Sequence, residues 1–339
     1  MMNIAASPVN PIVPHSILPN RTTMVNLNDR AKYIADTLID LADDFKIRSS
    51  FSPQGVSLID LGVSVIGGLE AGRLLAETCL AGLGHVSYVP SADIIPTTSA
   101  VQIDTDHPVE ACMASQYAGW QLQTDDFFGM GSGAMRAAAG REELFNDIGY
   151  TEKASQVVGI IETAKPPTES VCKVIAEACG VTPNKLTLAF APTASLAGTV
   201  QVVARSLETA LHKLHELGFN LARVESGTGI APLPPVAADD LAGIGRTNDA
   251  ILYGGEVTIW VTGDDKSIES IGSIIPSKAS KDYGKPFIEI FKEYDHDFYK
   301  IDPHLFSPAV ININNLETGS CYRFGELNPV VLSRSFGLE

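Results

Sequence analysis

The feature that most constrains the fold is a strand, a turn and a long amphipathic stretch that follow one another between residues 186 and 224. Leu186, Leu188 and Phe190 alternate as a strand does, and Ala191-Pro-Thr-Ala-Ser-Leu-Ala-Gly198 reads as a turn. A single helix is predicted over 199–217, closed by Gly218, with extended chain resuming at 221–224. Such a βαβ unit implies parallel strands joined by a crossover, with ligand sites beyond the carboxyl ends of the strands. The predicted class is therefore α/β.

The same order of elements recurs elsewhere. With Asn28 as a candidate N-cap, Ala31, Ile34, Leu38, Leu41 and Phe45 fall at helical spacing. Residues 56–66 are rich in β-branched side chains, and 70–81 return to helix before Gly82. Thr168 can cap a helix that runs to about Cys179. Strands are predicted at 257–261 and 310–313. The Gly/Pro-rich stretch 226–235 reads as a loop too irregular for either element and suited to lining a cleft. A length of 339 residues favours two domains, set here at 24–165 and 166–339. Residues 1–23, rich in proline, read as a flexible extension, with Met24 as a candidate natural start.

Charge excludes some partners. Forty acidic against 24 basic residues give a net charge of −16, which argues against nucleic acid and anionic membrane. No run approaches the eighteen or more apolar residues of a membrane span. The five cysteines are scattered and never form Cys-x-x-Cys, so neither a disulfide framework nor a zinc knuckle is expected and a reducing cytoplasm fits. The N-terminal tail lacks the basic start and apolar core of a secretory signal.

On the predicted 199–217 helix, Val200, Val203, Leu207, Leu211, Leu214 and Leu217 form a buried stripe. Gln201, Arg205, Glu208, His212 and His215 step by four and three along a bordering face. That position can partly desolvate Glu208 beside a cation, so that burial raises its pKa while Arg205 lowers it, as a general acid/base at neutral pH requires. An ordinary surface ion pair has the same spacing. No metal site is expected, because His212, His215 and Glu216 lack a further ligand at suitable spacing.

Gly129-Met-Gly131-Ser-Gly133-Ala134 matches the G-x-G-x-x-G/A pattern of dinucleotide-binding turns, but Thr124, Asp125 and Asp126 interrupt the strand that should feed it. A helix N-terminus whose N–H groups hold phosphate is the more general reading.

Several blocks in order resemble the methenyltetrahydromethanopterin cyclohydrolase family from Met24 onward. They are Ala111-Cys-Met-Ala-Ser-Gln-Tyr-Ala-Gly-Trp120, residues 127–136, the stretch from Ala191 through Lys213, and Asn248-Asp-Ala-Ile-Leu-Tyr-Gly-Gly255. Where the family has Gly-Ser-Gly-Pro-Ala-Arg, this chain reads Gly131-Ser-Gly-Ala-Met-Arg136. The resemblance implies two α/β domains with a large interdomain cleft, a homotrimer, and no metal or redox cofactor. It implies reversible hydrolysis of 5,10-methenyltetrahydromethanopterin to the 5-formyl compound, with Glu208 as the catalytic glutamate and Arg205 as its companion. Ser115, Gln116, Tyr117, Gly131, Ser132, Gly133, Arg136, Thr193, Ser195 and Tyr253 are the candidate substrate-binding residues that go with it. For the aromatic residues, a plain core role is the alternative. An NAD(P)-dependent oxidoreductase built on the 129–134 turn and a non-catalytic pterin-binding protein are the competing readings.

Overall fold

A computed structural model describes residues 26–338 of the chain. The candidate extension 1–23 and the candidate start at Met24 lie outside the described residues. In chain order the strands are β1 Arg48–Phe51, β2 Ser57–Asp60, β3 Gly84–Pro90, β4 Ser99–Thr105, β5 Trp120–Gln123, β6 Phe128–Ser132, β7 Val157–Glu162, β8 Leu186–Ala191, β9 Val224–Pro232, β10 Glu256–Val261, β11 Val310–Asn315 and β12 Cys321–Gly325. The helices are α1 Leu27–Asp40, α2 Leu69–Cys79, α3 Met135–Ala139, α4 Leu144–Ile148, α5 Glu169–Ala178, α6 Leu196–Val203, α7 Ser206–Glu216, α8 Asp240–Gly254, α9 Asp265–Ile271, α10 Phe287–Glu293 and α11 Pro329–Phe336.

The strands form two six-stranded mixed sheets, ordered β1-β2-β8-β7-β6-β5 and β12-β11-β10-β9-β4-β3. In the first, β2, β8 and β7 run parallel at the centre, with antiparallel strands outside them. A strand covered on both faces must be apolar on both, and β7 is. Val158 and Ile160 pack toward α1 and α2, with Leu27, Leu38 and Leu75, while Val157 and Ile161 pack toward α5, with Val171 and Ile175. In the second sheet β10 alternates half-buried and buried residues, and Val257, Ile259 and Val261 form one core with residues of α7, α8, α10 and α11. Each sheet draws on two separate stretches of chain, and β7 pairs with β8 across the prolines at 166 and 167.

A parallel βαβ unit is present, but not where it was expected. It is β7–α5–β8. The strands on either side of the 199–217 stretch belong to different sheets, β8 to the first and β9 to the second. The helix between them is two helices, broken at Ala204 and Arg205, whose backbone leaves the helical track at ψ near 1° and 6°. Spacing alone did not reveal the break, because both halves keep the same apolar stripe. The expected loop at 226–235 is also corrected, since 224–232 is a nine-residue strand. Its glycines serve packing, because a Cβ on Gly227 would meet Leu207 at 2.7 Å and one on Gly229 would meet Ser206 at 2.5 Å. They let α7 lie directly on β9.

The cap of α1 is two residues earlier than expected. Asn26 accepts the Asp29 N–H at 2.8 Å. Asn28 is instead fully buried and ties α1 to its neighbours, donating to the Ala134 carbonyl and to Glu152 while accepting from the Val158 amide.

Helices α2 and α6 approach closely at Gly72, where an added Cβ would stand 2.8 Å from the Val200 Cβ and 3.1 Å from the Ala197 Cα. This contact seats the first turn of α2 on α6. Gly72→Ala gains helix propensity yet overpacks this contact, so it is expected to lower unfolding stability by about 1–2 kcal/mol in urea titration. An unchanged or raised midpoint would contradict the close-approach account.

Candidate active site

The carboxyl ends of the parallel strands β7 and β8 converge on the start of α6. Thr193 follows β8, and Ser195 caps α6 by accepting the Gly198 N–H at 3.0 Å while donating to the Pro192 carbonyl at 2.8 Å. The Thr193 hydroxyl donates to Glu162, the last residue of β7. From α6 the chain reaches the break that carries Arg205.

Arg205 is 7% exposed. Its guanidinium donates to the Gln116 carbonyl, to Ser132 Oγ at 3.0 Å and to Gln201 Oε1 at 2.9 Å, and it touches Cys79 Sγ at 3.5 Å. These acceptors come from four elements: the end of a wide, π-type helical segment Val109–Gln116, β6, α6 and α2. All of them are uncharged, so the cation is held in place while its charge is left to act on its surroundings.

Two carboxyl groups lie in that field. Glu208, in the first turn of α7, is 6% exposed, and among the described residues no donor hydrogen-bonds its carboxyl. Burial pushes its pKa up to about 7, against the opposing pull of Arg205 and then Arg136. The surface ion pair that the spacing also allowed is therefore absent: both side chains are buried, and Arg205 spends its donors elsewhere. Glu162 is the second carboxyl. Burial raises its pKa, Thr193 and Arg205 lower it, and Asp240, which accepts the Ala194 N–H at 2.8 Å, raises it. Glu162 was missed in the sequence because the strand that ends on it was not recognised; a buried apolar run closed by an acid was the available signal.

Beside Glu208 lies a stack of three side chains. Arg136 sits 4.9 Å above the Tyr117 ring, whose other neighbour is His212 at 4.9 Å and 18° between planes. Burial, with Glu208 next, pushes the Tyr117 hydroxyl up to about 12, and burial lowers the His212 pKa. Arg136 is 1% exposed and pairs with both oxygens of Glu142, and it also donates to the Met113 and Ser115 carbonyls at 3.0 and 3.2 Å.

The structure thus brings Ser132 and the Gln116 carbonyl onto Arg205, with Tyr117 beside Glu208. Ser115 backs this wall, its hydroxyl donating to the Cys79 carbonyl and its own carbonyl accepting from Gly133. Gly129 and Gly131 lie within β6, not in a turn, and a Cβ on Gly131 would meet the Met135 side chain at 2.7 Å. The expected phosphate-cradling turn is corrected accordingly: the following helix α3 has five residues, and Ser132, Gly133 and Ala134 at its start are buried. Tyr253 is committed elsewhere, fully buried on α8 with its hydroxyl donating to the Lys285 carbonyl at 2.6 Å.

A family model described as Cyclohydrolase (MCH) matches residues 26–336. A methenyltetrahydromethanopterin cyclohydrolase of Methylobacillus flagellatus is 45% identical over 316 residues, 93% of this chain and 97% of that protein. One of Rhodopirellula baltica is 48% identical over 289 residues, covering 84% and 87%. One of Methanococcoides burtonii is 42% identical over 318 residues, covering 93% and 99%.

A carboxyl held at about 7 when folded, against about 4.3 when unfolded, binds its proton more tightly in the native state. Its contribution to stability is complete below pH ~4.3 and is lost as pH rises through about 7, a change on the order of 3 kcal/mol. Glu208→Gln removes the titration. The stability of the variant relative to the wild type is therefore expected to rise by roughly that amount between pH 4 and pH 8 in urea unfolding. A difference that stays constant with pH would show that Glu208 does not titrate near neutrality.

Proposed function

The chain belongs to the cyclohydrolase (MCH) family, enzymes that act on the C–N bond of a cyclic amidine, and we propose that it reversibly hydrolyses 5,10-methenyltetrahydromethanopterin to the 5-formyl compound. The observation that carries the mechanism is the Glu208 carboxyl, which is buried, free of protein hydrogen bonds among the described residues and held near neutrality beside Arg205.

The methenyl carbon bridges two nitrogens and shares their positive charge, which makes it an electrophile. Water adds to it as Glu208 takes one of the water's protons, giving a neutral adduct that carries a hydroxyl on the former methenyl carbon. Collapse of the adduct forms the formyl C=O, breaks the bond to N10 and leaves a proton on N10, which Glu208 supplies. One water proton thus ends on N10 and the other is released. Glu208 must shed that second proton in every cycle, which a carboxyl at about 7 does readily at neutral pH. The carbon keeps its oxidation state, so the reaction calls for no redox cofactor.

Arg205 has two roles in this reading. Its charge keeps the pKa of the buried Glu208 from climbing further, and its anchoring to Gln116, Ser132 and Gln201 holds that charge at a fixed place. Ser115, Gln116 and Tyr117 form the wall against which the substrate lies. Homotrimeric assembly and a cytoplasmic location complete the proposal, the latter supported by five free cysteines, four of them buried.

Purified protein is expected to bleach the methenyl absorbance catalytically without added nucleotide. Turnover should fall as pH drops below about 7, where the base is protonated, and Glu208→Gln should lose ~10²–10⁴ in kcat. Binding without bleaching by the wild-type protein, or a dependence on NAD(P), would overturn the assignment; near wild-type turnover in the variant would remove Glu208 from the mechanism.

A further inference from the structure

Glu162 has no part in the proton transfers above, yet it shares the Arg205 field with Glu208. It ends β7 and is joined through Thr193 to the turn after β8, so it sits at the carboxyl edge of the parallel strands, where open α/β sheets bind their ligands. Thr193 donates to its Oε1, and among the described residues this is the one hydrogen bond the carboxyl receives. Oε2 is left without a protein donor. That oxygen of the half-buried carboxyl keeps an open side from which a bound group can donate to it.

The nearby groups say what those donors are. Arg205 is already spent on Gln116, Ser132 and Gln201, and the neighbouring Asp240 is another acid. Among the described residues no neighbouring side chain completes Glu162, which leaves Oε2 open to a ligand's donors. On the reading that this ligand is a pterin, its pyrimidine ring presents N3–H and the C2 amino group side by side. This is a donor–donor edge that matches two carboxylate oxygens, as a guanidinium edge does.

We propose that Glu162 is the substrate-anchoring residue that receives the N3–H and C2-amino edge of the pterin, with Thr193 fixing the plane of its carboxylate. This inference rests on the cyclohydrolase reading and adds to it the residue that sets which way the ring faces. Glu208 then works at the methenyl bridge on one end of the bicyclic ring, while Glu162 holds the other. The two acids differ in role because one is free of protein donors and the other is oriented by Thr193.

The test is steady-state kinetics on the full-length chain with methenyltetrahydromethanopterin and with an analogue lacking the C2 amino group. Glu162→Gln turns an amide N–H toward the ring's donors, so its KM is expected to rise about 10- to 100-fold with kcat within about threefold of wild type. Glu162→Asp should recover part of that loss. Wild type should discriminate against the analogue by a comparable factor, and Glu162→Gln should not. An unchanged KM, or a fall in kcat alone, would overturn the proposal. If the variant fails to fold, the wild-type protein with the analogue decides, since equal KM values for the two substrates would exclude an anchor at that edge. Failure of the wild type to turn over the parent substrate would instead overturn the cyclohydrolase reading itself.

Discussion

The site depends on one buried cation whose hydrogen bonds all end on uncharged acceptors. Had Arg205 been paired with a carboxylate, its charge would have been neutralised locally and any glutamate beside it would have been fixed as its partner. Instead Gln116, Ser132 and Gln201 take its donors and leave its field to reach Glu208 and Glu162. Burial and that field then oppose each other at Glu208, and burial prevails to the extent of placing the carboxyl at about 7. A group useful for moving protons at neutral pH arises without any unusual chemistry.

The architecture follows from the need to hold that cation. Arg205 lies in a break between two helices, and the helices join a strand of one sheet to a strand of the other. Its acceptors come from α2, β6, α6 and the wide helical segment before Tyr117, so the guanidinium bonds elements of the first sheet to the helices that run toward the second. Two close approaches support this arrangement. Gly72 seats α2 on α6, and the glycines of β9 seat α7 on the second sheet. Holding an acid in its unfavourable ionised form costs stability at neutral pH, which is the usual compromise of a preorganised site.

Much of this was legible in the sequence, and the exceptions have physical causes. The apolar stripe from Val200 to Leu214, the short strands near 257 and 310, and the α/β class could be read from periodicity, because each buries one face against a core. The helix break could not, since spacing constrains which side chains face the core and not whether the backbone between them is continuous. The strand 224–232 was hidden because glycines serve there to admit a helix, and the same residue type marks loops elsewhere. Arg205 and Glu208 stood out as part of a polar stripe, but spacing could not separate them from an ion pair; only the three-dimensional partners of Arg205 do so. Glu162 carried no motif at all, being an acid at the end of an unrecognised strand.

The central claim is electrostatic and can be measured without turnover. Isotope-edited infrared titration of glutamate-labelled protein, taken as wild type minus Glu208→Gln, isolates the carboxyl stretch of Glu208. The account predicts loss of the protonated band with a midpoint at about pH 7, moving higher when Arg205 is replaced by Gln. A midpoint in the ordinary carboxylate range, or one that does not respond to loss of Arg205, would contradict it.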